Sequence, residues 1–146
     1  MASTRVQKKC ELWIVNSWLP DIFNEQFAET RIQMQDREYF EFDAANQDLS
    51  IVGNISTATA FTYKGKVASG KKSKIRADCL MLSLVSAQKK LLILTEHCMH
   101  EFSLAEQSAG RLPLDIDILR VELPTDLKKE LIEAREIASR EVRGVT

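Results

Sequence analysis

A chain of 146 residues, 45% hydrophobic and 28% charged, has the composition of one ordinary globular domain that can bury a continuous core without disulfides or metals. A net charge of -1 excludes a global drive toward nucleic acid, so any attraction for phosphate must come from local clustering. Cys10, Cys79 and Cys98 are odd in number and form no CxxC pair, so neither a disulfide framework nor a Cys-rich zinc site is suggested; with a polar N-terminus and no long apolar run, a cytoplasmic protein without membrane segments is expected.

From about Thr4 to Phe23, Val6, Cys10, Trp13 and Ile14 recur at helical spacing and predict a helix that ends near Pro20. Residues 31–35 alternate weakly and read as a first strand. Tyr39 to Ala45 alternates more clearly, with Phe40, Phe42 and Ala44 directed one way and Tyr39, Glu41 and Asp43 the other. Asn46-Gln47-Asp48 supplies turn chemistry, and Leu49 to Ser56 reads as the partner strand.

Residues 57–70 are rich in Thr, Ser, Gly and Lys and predict a loop or ragged hairpin. From Lys71, the spacing of Ile75, Cys79 and Leu82 predicts a helix. Leu91 to Thr95 suits a buried strand, Glu96 to Ser108 a polar helix stopped by Gly110 and Pro113, Asp115 to Leu123 a strand, and Pro124-Thr125 the opening of a final helix. The order α-β-β-β-α-β-α-β-α implies an α+β domain with one mixed sheet, derived largely from a meander and flanked by helices.

That order resembles the core of the PD-(D/E)XK nuclease superfamily, with Asp43 on the second strand and the third strand ending at Asn54-Ile55-Ser56. The resemblance spans about residues 4–95, leaving 96–146 as a C-terminal extension of a single nuclease-like domain. It implies a restriction-endonuclease-like fold in which an Asp and an acidic-x-Lys tripeptide hold Mg²⁺ or Mn²⁺. Phosphodiester hydrolysis needs a hard cation, and hard cations take oxygen ligands. Asp43 matches the first position; Asn54 stands where the acid belongs and Ser56 where the Lys belongs, so the implied site is degenerate.

Replacement groups are present in the chain. Lys66, Lys71, Lys72 and Lys74 surround the start of the following helix. Glu41 shares a predicted strand face with Asp43. Glu11 falls within the apolar arc of the first helix, an unusual place for a carboxylate without a role. With metal, Asp43 would hold it with Glu11 or Glu41, and a Lys from the 66–74 region, such as Lys72 or Lys74, would assist the water.

Leu49 to Ala77 contains no acid, while Lys64, Lys66, Lys71, Lys72, Lys74 and Arg76 crowd into thirteen positions beside Phe61 and Tyr63, a pattern suited to a phosphate backbone such as that of DNA. His97, Cys98 and His100 lack the further ligands of a zinc site. The reading favoured here is a nucleic-acid-associated protein with weak or absent metal-dependent cleavage. Its rival is a non-enzymatic interaction module, as a homodimer, that presents its last two helices to a partner.

Overall fold

The structure, a computed structural model, describes residues 2–61 and 65–142. Its first helix is α1, Ala2–Trp13. It passes through a π-helical turn at Ile14–Trp18 into the short α2, Leu19–Phe23. In that turn the Leu19 N–H reaches the Ile14 carbonyl, immediately before Pro20, which has no N–H to offer. The predicted single helix is thus one path with a widened turn. It ends at Asn24, whose left-handed backbone (φ 56°) returns its N–H to the Pro20 carbonyl.

The sheet contains β1 (Phe27–Gln33), β2 (Tyr39–Asn46), β3 (Ile51–Ser56), β4 (Lys89–Leu94) and β5 (Ile116–Arg120), hydrogen-bonded in that order. The first three are antiparallel neighbours; β3, β4 and β5 are parallel. Helices α3 (Ser69–Leu84) and α4 (His97–Ser108) make the two crossovers, and α5 (Thr125–Val142) closes the order. The fold is the expected α+β arrangement of a five-stranded mixed sheet flanked by helices.

Several boundaries move for local reasons. The first strand lies earlier than the weak alternation suggested, because Gln35 and Asp36 adopt left-handed conformations in the turn that follows it. Leu49, also left-handed, belongs to the next turn instead of β3. There the Asn46 side chain accepts the Ile51 N–H at 2.9 Å and Asp48 accepts the Ser50 N–H at 3.1 Å, which is the turn chemistry expected of these residues. The described residues between β3 and α3, 57–61 and 65–68, form no regular element beyond one bridge between Phe61 and Val67.

The sheet separates two apolar layers. On one face Cys10, Ile14 and Leu19 pack with Ile55, Leu91, Ile93 and Leu131 of α5. On the other, Phe42, Val52, Leu92 and Leu94 pack against Ile75, Cys79 and Leu82 of α3 and Met99 of α4. Alternate residues of β4 enter opposite layers, which explains why this strand is an unbroken apolar run. Burial raises the Cys79 thiol to about 12, consistent with a core residue and not a reactive one. Among the described residues no helix is long and apolar enough to cross a membrane.

Candidate functional site

The sheet is irregular at one point, where Asp43 lies. Ala28 pairs with Ala45 but Thr30 pairs with Phe42, so Asp43 and Ala44 of β2 together oppose the single residue Glu29 of β1. This is a β-bulge, and such insertions redirect side chains. Phe42 enters the α3 layer while Ala44 enters the α1 layer, which breaks the simple alternation that placed Phe42 and Ala44 on one face. The regular β2–β3 pairing covers Ala44–Gly53 and Ala45–Val52. Beyond it the side chains bridge the strands. Asp43 Oδ2 accepts the Ile55 N–H at 2.8 Å, and Asn54 Oδ1 receives the Asp43 N–H at 3.4 Å.

Asp43 therefore has a structural task as well as a place in the site. Asn54, only 2% exposed, also donates from Nδ2 to the Asp78 carbonyl at 3.4 Å, tying β3 to α3 from within the core. Its neighbour Ser56 lines an open cleft of about 1170 Å³, and uses its hydroxyl to accept the Ala58 N–H. Glu11, Asp43, Lys71, Lys74 and Arg135 line the same cleft. Four of these five side chains were expected to matter, and they come from α1, β2 and α3. Arg135 of α5 was not. Its guanidinium donates to Glu96 and to the Thr57 carbonyl, fastening α5 to the chain that leaves β3.

The electrostatics follow from crowding carboxylates at a partly dry position. Burial, and then the Asp43 carboxylate, raise Glu11 from 4.5 to about 7; Lys8 and Lys74 oppose this. Asp43 is also raised, chiefly by burial and further by Asp78, against the pull of the Ile55 amide and Lys74. Asp78 holds the Lys74 ammonium at 2.9 and 3.1 Å, yet burial still raises its pKa. The geometry shows why: the Asp78 side chain is 7% exposed and that of Lys74 is 70% exposed, so the cation remains hydrated while the anion does not. A carboxyl group that titrates near neutrality can give or take a proton under ordinary conditions.

The remaining candidates fall elsewhere. Glu41 is exposed on β2, outside the cleft lining, opposite Arg31 of β1. Lys72 and Arg76 lie along α3 beside Phe102 of α4, with the Lys72 ammonium 4.5 Å from that ring's centre. Arg76 also pairs with the buried Glu106, which Arg111 meets from its other oxygen. Lys66 is exposed in the irregular segment, and Lys64 lies outside the described residues. His97 pairs with Glu101 at 3.1 Å, and Cys98 Sγ accepts the Ala60 N–H.

Among the described residues no three His, Cys, Asp or Glu side chains are grouped closely enough to hold a metal ion. Glu11 and Asp43 are donors of the kind a hard cation takes, but one Asp43 oxygen is committed to Ile55 and the third nearby acid, Asp78, to Lys74. The fit to Mg²⁺ or Mn²⁺ is thus that of two carboxylates at most, an arrangement that relies on water and substrate oxygens for the remaining ligands. Asp78 was missed in the sequence although it carried the same signal as Glu11, an acid on a helical arc with Ile75, Cys79 and Leu82. No protein-family model, curated protein or solved structure matches this chain.

Proposed function

We propose that the chain is a divergent nucleic-acid-binding protein of the PD-(D/E)XK type, whose cleft receives a phosphodiester and whose metal-dependent cleavage is weak or lost. The observation that carries this reading is the convergence of Glu11, Asp43, Lys71 and Lys74 on one cleft from three separate elements. An interaction module that held Asp43 only as a turn residue would have no need of that convergence. The turn before β3 is instead made by Asn46 and Asp48.

Each group has a task set by its position. Lys74, carried on α3 and braced by Asp78, supplies the cation that Ser56 lacks. Lys71 stands in the first turn of α3, where Ser69 and Gly70 also line the cleft and no side chain caps the helix. The amides of that turn favour an anion there. Glu11, titrating near 7, is suited to exchange a proton with water beside the phosphate. A divalent ion held by Glu11 and Asp43 would neutralise charge developing on the phosphate. Asn54 adds no charge and is spent on fastening β3 to α3, which is why strong catalysis is not expected.

Incubating labelled single- and double-stranded DNA with the protein and Mn²⁺ or Mg²⁺ tests this reading. Binding should persist in Glu11→Gln and Asp43→Asn, while any slow cleavage by the native chain disappears in both. Cleavage that survives Asp43→Asn would overturn the assignment of these carboxylates. A native chain that binds neither form of DNA at low salt would overturn the nucleic-acid reading and leave the interaction module in its place.

A further inference from the structure

We infer that the cleft takes an unpaired strand, with Phe61 as the platform on which a base stacks. This rests on the nucleic-acid reading above and adds the form of the substrate. Phe61 is 48% exposed, lines the cleft and is fixed there by its bridge to Val67. Its carbonyl accepts the Thr59 hydroxyl at 2.7 Å, so the backbone at Phe61 is tied to both Thr59 and Val67.

An exposed aromatic residue alone would carry little. Here it begins a series of rings and cations. The Lys72 ammonium lies 5.6 Å from the centre of the Phe61 ring and 4.5 Å from that of Phe102, and the Arg76 guanidinium lies 5.6 Å from Phe102. Ring and positive charge thus alternate from the cleft wall along α3 and α4, while Lys71 and Lys74 supply charge within the cleft. A cationic groove interleaved with aromatic faces is what binding of a single strand requires, because every base offers a π-face and every nucleotide a phosphate. A duplex keeps its base faces stacked on one another and offers Phe61 none.

The dimensions agree. A cleft of about 1170 Å³ is slightly larger than a typical small-molecule pocket, which suits a few consecutive nucleotides drawn into it. A duplex, with its bases paired and stacked, would offer this cleft chiefly its phosphates. Stacking on a ring tolerates any base, so the preference that Phe61 confers is for strand form.

The test compares a fluorescent oligothymidylate of about fifteen nucleotides, near the upper site size of single-strand modules, with a blunt duplex of similar length. Anisotropy titrations are made with the native full chain, Phe61→Ala and Phe61→Trp. The native chain should prefer the single strand. Phe61→Ala should weaken that binding about fivefold or more, the size expected for loss of one base stack, while leaving duplex affinity unchanged. Phe61→Trp should bind as the native chain does and show emission quenched by the oligonucleotide beyond any change from Trp13 and Trp18. Equal loss for both strand forms, no loss for either, or a native preference for duplex would overturn the stacking inference while leaving nucleic-acid binding standing. Absence of binding to both by the native chain would overturn the underlying reading and this inference with it.

Discussion

Glu11→Gln is expected to make the protein more stable above pH 7 and to flatten its stability between pH 5 and 8. In the native chain the folded-state pKa of Glu11 is about 7 against 4.5 for the free side chain, so the folded state holds this proton more tightly than the unfolded state. The resulting contribution to stability is complete below about pH 4.5 and is lost as pH rises through about 7. Burial is the first cause and Asp43 the second, with Glu29 adding to the repulsion and Lys8 and Lys74 opposing it. A shift of this size corresponds to about 3 kcal/mol if the group were dry. Because the carboxyl group is partly solvated, on the order of 1–2 kcal/mol is the reasonable expectation after screening. Gln keeps the shape and carries no charge, so its melting temperature at pH 8 should exceed that of the native chain by about 3–6 °C, with the two equal near pH 4. Thermal unfolding at both pH values checks this; curves that stay parallel would mean that Glu11 titrates normally.

Asp43→Ala should destabilise the protein by about 1–3 kcal/mol, whereas Asp43→Asn should not. The alanine variant leaves the Ile55 N–H without its 2.8 Å acceptor in a buried strand. Asparagine retains an oxygen for that bond and removes the charge that repels Glu11 and Asp78. Above pH 7 the asparagine variant should therefore match or exceed the native stability, while the alanine variant unfolds at lower denaturant concentration. Equal midpoints for the two variants would show that the bond across the splayed strands carries no weight. Asp43→Asn is consequently the informative control for activity, since a loss in Asp43→Ala would mix chemistry with folding.

How far the site was legible depends on which physical signal each residue carried. Glu11 was recognisable because a carboxylate inside an apolar helical arc is costly unless it has a task, and Asp78 satisfied the same criterion on α3. The order of elements followed from periodicity and turn residues, and it held even where ends moved. What periodicity could not reveal was register. The bulge that aims Asp43 exists only in the pairing of β1 with β2, and the weak alternation of residues 31–35 misplaced β1 itself. Without that register Glu41 remained a candidate second carboxylate on the predicted face of Asp43, whereas it is exposed outside the cleft lining. Lys71 and Lys74 could not be separated from Lys72 by periodicity, because which face of α3 meets the cleft is set by tertiary packing. Arg135 carried no local signal, since charged residues on a C-terminal helix are ordinary and its contacts with Glu96 and Thr57 are distant in sequence.

That the cleft carrying Glu11, Asp43, Lys71 and Lys74 receives a nucleic-acid backbone is the proposal on which the other inferences depend. It is tested most directly by the salt dependence of oligonucleotide binding in the native chain, Lys71→Ala, Lys74→Gln and the double variant. Gln at 74 retains a donor for Asp78, so the loss of charge is not confused with a buried, unpaired carboxylate. Each lost phosphate contact should weaken binding and reduce the slope of log affinity against log salt by about 0.7, and by about 1.4 in the double variant, for a single strand. Native affinity and slope in all three variants would contradict a phosphate site here, because phosphate would then be bound somewhere other than this cleft.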